Sequence, residues 1–346
     1  MYNKKFPQAF FYKIIFTILC IFLLSDVVFA AGKWTILQKQ APDNIPYDLN
    51  GVCFVDKNNG WVVGEAIFED MKGFIAHTKN GGITWKAQKS TSEGTLSDVC
   101  FVDKNHGWAV GERGVIVSTK DGGKNWEKQL SKQDNWLYGV HFVNTNVGYA
   151  VGMNSTILKT ENGGKTWKIL KGGTIPANMG EEETTMYNSV YFINEKVGWA
   201  VGVHVLPPSQ QNGAVHYTTD GGKTWTAQTT NVEEILKDVY FVDANIGWVV
   251  GEDGVILHTE NAGKTWTLQK SGTQEHLQGV SFADAKNGWA VGGALGIPSV
   301  IVGTTDGGKT WIPYKIKANS QLRSIDVLDK NNYWAVGGFG IIIGNK

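Results

Sequence analysis

The chain has 346 residues, with 32 Lys+Arg against 32 Asp+Glu, so it has no formal net charge at pH 7. That balance argues against nucleic acid as a partner, because binding phosphate needs a cationic field. Glycine (43) and tryptophan (14) are in excess, proline is scarce (8), and Arg113 and Arg323 are the only arginines, which excludes chemistry built on a cluster of guanidinium groups.

At the N-terminus, Lys4, Lys5 and Lys13 precede an apolar run from Ile14 to Leu24, and Val28-Phe29-Ala30 ends on a small residue. This order predicts a secretory signal peptide over residues 1–30, cleaved near Ala30. The apolar run is too short for a bilayer, which takes ~20 helical residues. The chain is therefore expected to be exported, to the periplasm, cell envelope or exterior, with residues 31–346 as a single domain.

Next come Gly32-Lys33-Trp34 and a short alternating stretch to Gln38, which match the end of a GGKTW motif that recurs downstream. A first repeated segment then reads FVDKNNGWVVGE from Phe54 and recurs from Phe101, Phe142, Phe192, Phe241, Phe282 and Val327, every 41 to 50 residues. A second, such as TKDGGKNW or TTDGGKTW, begins at Thr78, Thr119, Thr160, Thr218, Thr259 and Thr304. Each unit thus holds four pieces: strand A, as in Leu236 to Phe241; strand B, the GWAVG run; strand C, a G-x-I-x-x-T run; and strand D, opened by the tryptophan after the turn. Apolar and polar residues alternate with period 2, as strands require.

Four short strands per unit at this period predict one propeller blade per unit. The fold class is therefore all-β: a seven-bladed β-propeller with four-stranded antiparallel blades. The chain stops at GIIIGNK, before a seventh turn motif. The N-terminal strand at Trp34 is expected to supply the missing strand D and join the two chain ends, leaving no open sheet edge on the ring. Cys53 and Cys100 occupy the same place in neighbouring units and would point the same way round the ring. A disulfide needs facing Cβ atoms ~4 Å apart, so two thiols are expected, with a bridge as the alternative.

The turn motif resembles the Asp-box, or bacterial neuraminidase repeat. Its acidic place is held by Asn80, Asp121, Asn162, Asp220, Asn261 and Asp306. A carboxylate or amide there can accept hydrogen bonds from its own turn. The interchange of Asn with Asp fits that structural role and weakens a calcium reading, in which charge matters. Thirteen of the fourteen tryptophans fall in strand B or after a turn, with Trp34 completing the latter set, and Trp136 alone lies outside the pattern.

Long insertions fall at Glu65 to Gly73, Lys171 to Met186, Val203 to Gly213 and Gly293 to Pro298. All lie in D–A or B–C connections, which share one face of a propeller. Variable loops on a fixed scaffold usually carry function, so a partner-binding face is expected there, clustered round blade 4. Its candidate residues are Trp136, Tyr138, Tyr187, Asn188, Lys237 and Arg323, with Glu112, Arg113, Glu252 and Asp253 in the B–C turns. Gln278 shares the ring position of Tyr138, and Glu181, Glu182 and Glu183 join from a loop. No catalytic, cofactor or metal residues are assigned, since the histidines are scattered and no nucleophile or nucleotide motif occurs. Sialidases share the Asp-box but bind their substrate through an arginine triad, which two arginines cannot form.

The whole unit, L-x-x-V-x-F-V-D-x-x-x-G-W-A-V-G-E-x-G-x-I-x-x-T-x-D-G-G-x-T-W, nearly complete from Leu96 to Trp126, resembles the photosystem II stability/assembly factor family. The resemblance covers residues 34–346. It implies a seven-bladed propeller acting as a non-enzymatic assembly factor for membrane-protein complexes. Photosynthetic members of that family use an arginine-rich patch, which this chain lacks, so a bacterial member without a photosynthetic role is expected. The expected partner is a protein, such as a membrane-protein complex or its precursor, bound by a monomer. The alternative is a secreted glycan-binding or glycan-cleaving propeller similar to one half of a xyloglucanase, which would show two close carboxylates in an aromatic-lined groove.

Overall fold

The computed structural model describes residues 33–38, 47–66, 73–174, 183–206 and 210–345. The chain divides into Met1–Ala31 and Gly32–Lys346. The first unit, and with it the expected signal peptide, lies outside the described residues.

The second unit is the expected propeller. Its described residues form seven four-stranded sheets, six of them running A to D in chain order. Blade 2 is typical, with strands Leu96–Phe101, Gly107–Gly111, Ile116–Thr119 and Glu127–Gln129. In the seventh sheet, Trp34–Gln38 pairs antiparallel with Ile342–Asn345, Trp34 opposite Asn345 and Ile36 opposite Ile343. The N-terminal strand thus closes the ring. Strand A of every blade lines a central channel of about 440 Å³.

One aromatic arrangement joins the blades. The Phe142 ring stacks on Trp108 of the preceding blade at 3.6 Å and 7°, and takes the edge of its own blade's Asp-box Trp167 at 5.8 Å and 87°. The same pair of contacts recurs at Phe54, Phe101, Phe192, Phe241 and Phe282, with Tyr149 in place of the stacked tryptophan at Phe192. Such pairs contribute about 0.5–1.5 kcal/mol each beyond the area they bury. Phe142 lies opposite Gly148 in the strand pairing, and a Cβ on that glycine would meet the phenylalanine ring at 2.4 Å. The glycine before the strand-B aromatic of the first six blades is there to admit the ring.

Blade 7 exchanges these two positions. Val327 stands where the phenylalanine would be, and its strand partner is Tyr333, where the glycine would be. Tyr333 fills the vacated space, fully buried between Trp289 at 4.6 Å and Trp34 at 4.5 Å.

A further bridge comes from strand D. Gln88, Gln129, Gln228 and Gln269 each accept the indole N–H of the next blade's Asp-box tryptophan at 3.0–3.2 Å. Each also donates to a carbonyl of that Asp-box. Leu170 holds this place in blade 3, and the next indole, Trp225, is left without a partner.

Strand A has one edge facing the channel, and buried N–H groups there need acceptors. The preceding blade supplies them. Val140 N–H donates to Asp98 Oδ2 at 2.9 Å, Val280 N–H to Asp238 Oδ2 at 3.0 Å, Phe54 N–H to Asp326, and Val52 N–H to Ser324 Oγ at 3.3 Å. Phe101 and Phe142 N–H donate to the sulfurs of Cys53 and Cys100, which are free thiols. Burial pushes both thiols up, Cys100 to about 12. Burial likewise pushes the Asp98 carboxyl up to about 7 and those of Asp238 and Asp326 up to about 6, against the backbone donors that favour their ionised forms.

Two outcomes are expected. Tyr333→Gly should cost about 3–5 kcal/mol by opening a cavity, and Val327→Phe about 1–3 kcal/mol by overpacking. The double variant, which restores the arrangement of the other blades, should return to within about 2 kcal/mol of the parent in denaturant melts. The second concerns pH. The folded pKa values of the channel aspartates exceed their unfolded values, so the folded state holds these protons longer. Stability should then fall as pH rises from about 4 through 7. Asp98→Ser, which copies Ser324, should shrink that fall in melting temperature; an undiminished fall would rule out Asp98 as its source.

Candidate partner-binding face

The D–A and B–C connections converge on one face, as expected. The insertion at Val203 to Gly213 is built mainly of strand. It lengthens blade 4 strands B and C into a hairpin, Gly198–Leu206 with Gln210–Thr218, in which Leu206 opposes Gln210. In blade 1, Glu65 pairs with Gly73 across its insertion, and residues 67–72 lie outside the described residues. Glu181 and Glu182 also lie outside them.

Blades 2, 5 and 7 share one B–C turn: Glu112–Gly114, Glu252–Gly254 and Gly338–Gly340. In the first, Glu112 N–H donates to Thr95 O and Val115 N–H to Glu112 O. The middle residue is left-handed in each case: Arg113 at φ 54°, Asp253 at 52° and Phe339 at 57°. This conformation directs the middle side chain outward. It is unfavourable for a bulky residue, yet Phe339 adopts it and remains 54% exposed.

Phe339 is held from below. Its N–H donates to Asp48 Oδ1 at 2.9 Å. Arg323 donates from Nη2 to Asp48 Oδ2 at 2.6 Å and from Nη1 to Asn50 Oδ1 at 2.8 Å. Arg323, expected at the binding face, is therefore consumed in joining blade 7 to blade 1. Lys237 is similarly engaged, with Nζ 2.8 Å from Glu252 Oε1. Asn188 Nδ2 donates to Leu236 O at 2.7 Å, bridging blades 4 and 5 as Asn50 bridges 1 and 2. Glu112 lies 3.6 Å from Arg113 Nε, whose side chain is 84% exposed. Asp253 N–H donates to His276 Nδ1 at 3.2 Å.

Trp136 and Tyr138 do come together. Their rings lie 5.9 Å apart at 21°, both half-buried, and Trp136 Nε1–H donates to Ser97 Oγ at 2.8 Å. Burial raises the Tyr138 phenol.

Tyr187 departs from expectation. It is fully buried in the blade 3–4 core with Tyr149, Val151 and Phe192. Its register position is that of the strand-A leucine, such as Leu137 or Leu236, which points into the core in every other blade. Only its hydroxyl is polar-bound: Lys171 Nζ donates to it at 3.2 Å, and His216 Nδ1 lies 3.3 Å away. Burial lowers Lys171 and takes His216 down to about 4.

Phe339, Leu295 and Asp48 were not singled out from the sequence. Leu295, in the blade 6 insertion, is 64% exposed. Aligning the turns GERG, GEDG and GGFG would have shown an aromatic where the other two carry charge. Between the blade 4 hairpin and blade 5 lies a pocket of about 540 Å³ lined by Gln210, Gln211, Asn212, Glu233, Glu234, Glu252 and Asp253.

The Asp-boxes lie on the opposite face and are saturated internally. Asn80 Oδ1 accepts Thr78 Oγ1–H and Thr84 N–H, both at 3.0 Å, while its Nδ2 donates to Thr84 Oγ1. Asp220 Oδ1 accepts the equivalent pair at 2.9 Å, and Thr224 Oγ1 turns its proton toward Oδ2. Asn162 and Asn261 follow the first pattern, Asp306 the second, and Asp121 takes an Asn125 amide in place of the hydroxyl. A rotating hydroxyl thus makes Asn and Asp interchangeable here. Backbone N–H donors, that of Asn125 foremost, hold the Asp121 carboxyl down at about 2.

Similarity to known proteins agrees with this architecture. No curated protein sequence matches the chain. Among solved structures, YCF48 from Cyanidioschyzon merolae is 23% identical with a TM-score of 0.67, covering 90% of this chain and 98% of that one. YCF48 bound to a D1 peptide is 19% identical with a TM-score of 0.66, covering 90% and 96%. The GH74 enzyme of Niastella koreensis is 14% identical at 0.67, but the match covers only 53% of that chain. A family model described as photosynthesis system II assembly factor YCF48 matches residues 84–136, 128–227 and 209–270, more than half of the chain, and with seven blades, six of them bearing an Asp-box, closed by the N-terminal strand it places this protein in the YCF48-like assembly factor family.

Proposed function

We propose that the protein is an exported, non-enzymatic propeller that binds a membrane or envelope protein, or its precursor, through the insertion face and assists its assembly. The observation that carries this reading is Phe339. A bulky residue in the left-handed region costs of order 1–3 kcal/mol and tends to occur where strain serves a function. Here it holds an aromatic in solvent, braced by Asp48 and Arg323. Exposed Leu295 in blade 6 and the Trp136–Tyr138 pair add aromatic and apolar anchors of the kind that dominate interface energies. That a related propeller was solved with a D1 peptide supports a peptide segment as the bound species.

With Arg323 engaged by Asp48 and Asn50, Arg113 is the one arginine exposed at this face. That supports a member of the family without a photosynthetic role. The basic, apolar and small residues of the first 30 positions support export. The glycan reading is not favoured. The acidic pocket by blade 4 offers carboxylates, but no aromatic side chain lines it, and Glu252 is held by Lys237.

Affinity capture from detergent-solubilised envelopes with residues 31–346 as bait tests the face. Phe339→Ala, and separately Trp136→Ala with Tyr138→Ala, should each reduce partner recovery about tenfold or more, the loss of one interface anchor. Melting temperatures should change little for the exposed Phe339. Unchanged recovery in both variants would remove the insertion face from consideration.

A further inference from the structure

A second feature lies away from the insertion face. Strand D of blade 1, Lys86–Gln88, and the turns of blade 2 wall a groove of about 800 Å³. Lys79, Lys86, Lys89, Lys104 and Lys124 line it, and all are exposed. Lys104 lies 3.0 Å from Asp56. The other four make no ion pair with a described residue. Asp121, the one carboxylate of the lining, is occupied by Thr119 and Asn125. The groove is therefore a cationic field in a chain whose charges sum to zero.

Two further observations define what would fit. Among the described residues, strand D of blade 1 pairs only with strand C, Ile75 opposite Gln88 and His77 opposite Lys86, so its outer edge carries backbone groups with no strand partner there, of the kind that accept another strand. At the groove wall, His77 stacks on Trp61 at 4.3 Å and 1°, and its Nε2 is buried without a partner. Ile83, half exposed, stands in this blade's Asp-box where the next blade has Lys124, next in the chain to Thr84 of the lining.

We infer that this groove docks an extended acidic peptide segment of a partner protein, its backbone pairing with the free edge of strand D and its carboxylates meeting the lysines. Both features are used only by a peptide. A sulfated or carboxylated glycan could meet the ammonium groups but has no amide ladder to offer the edge. The site is independent of the insertion face, so either can fail alone.

The test is fluorescence anisotropy with a labelled peptide of alternating Glu and Thr on residues 31–346. Saturable binding is expected, weakening steeply between about 20 mM and about 150 mM salt as the charges are screened. The triple variant Lys79→Gln, Lys86→Gln, Lys124→Gln, all on exposed side chains, should weaken binding about tenfold or more with an unchanged melting temperature. A peptide of the same charge with alternate backbone nitrogens methylated should also weaken, since it cannot complete the ladder. Phe339→Ala should bind the peptide normally. The inference is overturned if the peptide shows no saturable binding, if the triple variant binds equally well, if the methylated peptide is as good as the parent, or if a heparin tetrasaccharide binds where the peptide does not.

Discussion

Six of the seven blades are joined to the one before by the face of a strand-A phenylalanine against a strand-B aromatic, and much of the remaining sequence follows from making room for that contact. The glycine before the strand-B aromatic of those six blades is small because the phenylalanine ring occupies the space of its Cβ. The Asp-box tryptophan meets the edge of the same ring, so the turn that delivers it must hold one shape. The Thr–Asp/Asn network fixes that shape with local hydrogen bonds. Blade 7 shows that the requirement is volume more than residue type: Tyr333 fills from strand B what Phe142 fills from strand A.

The stack packs the blades, and the inner strand edges need a second solution. Side chains of one blade accept the N–H groups of the next at the channel, which places carboxyls and thiols in a poorly solvated ring. Burial holds those carboxyls above their ordinary range. A ring held at both its inner and outer strands can in turn support local strain at its surface. The left-handed B–C turns of blades 2, 5 and 7 are equivalent in backbone but differ at the tip: Arg113, Asp253 and Phe339. One scaffold turn thus presents cation, anion and aromatic at different points round the same face.

Charge follows a similar logic. Several charged residues that looked available in the sequence are spent on internal ion pairs, Arg323 with Asp48 between blades 7 and 1 and Lys237 with Glu252 within blade 5. The free charge lies elsewhere, in lysines gathered between blades 1 and 2. The candidate face was legible only in part. Trp136 was visible because it lies outside the repeat and Tyr138 because it holds the strand-A position that varies round the ring, whereas Phe339 sits inside a repeat and differs from its equivalents at one position. Tyr187 misled because it replaces a core leucine, and a tyrosine at that register can bury its ring while its hydroxyl is met by Lys171 and His216.

The sequence by itself determined the class, the number of blades, the strand order and the closure by Trp34. These are encoded in a period of about 41 to 50 residues and in short-range patterns that need no knowledge of distant contacts. It also determined that the Asp-box acids could act as hydrogen-bond acceptors, since Asn and Asp alternate there. Only the tertiary structure decided which side chains remain free. Exposure and ion pairing depend on neighbours some 275 residues away in the chain, as between Asp48 and Arg323. Spacing along the chain cannot report a contact made by closing a ring.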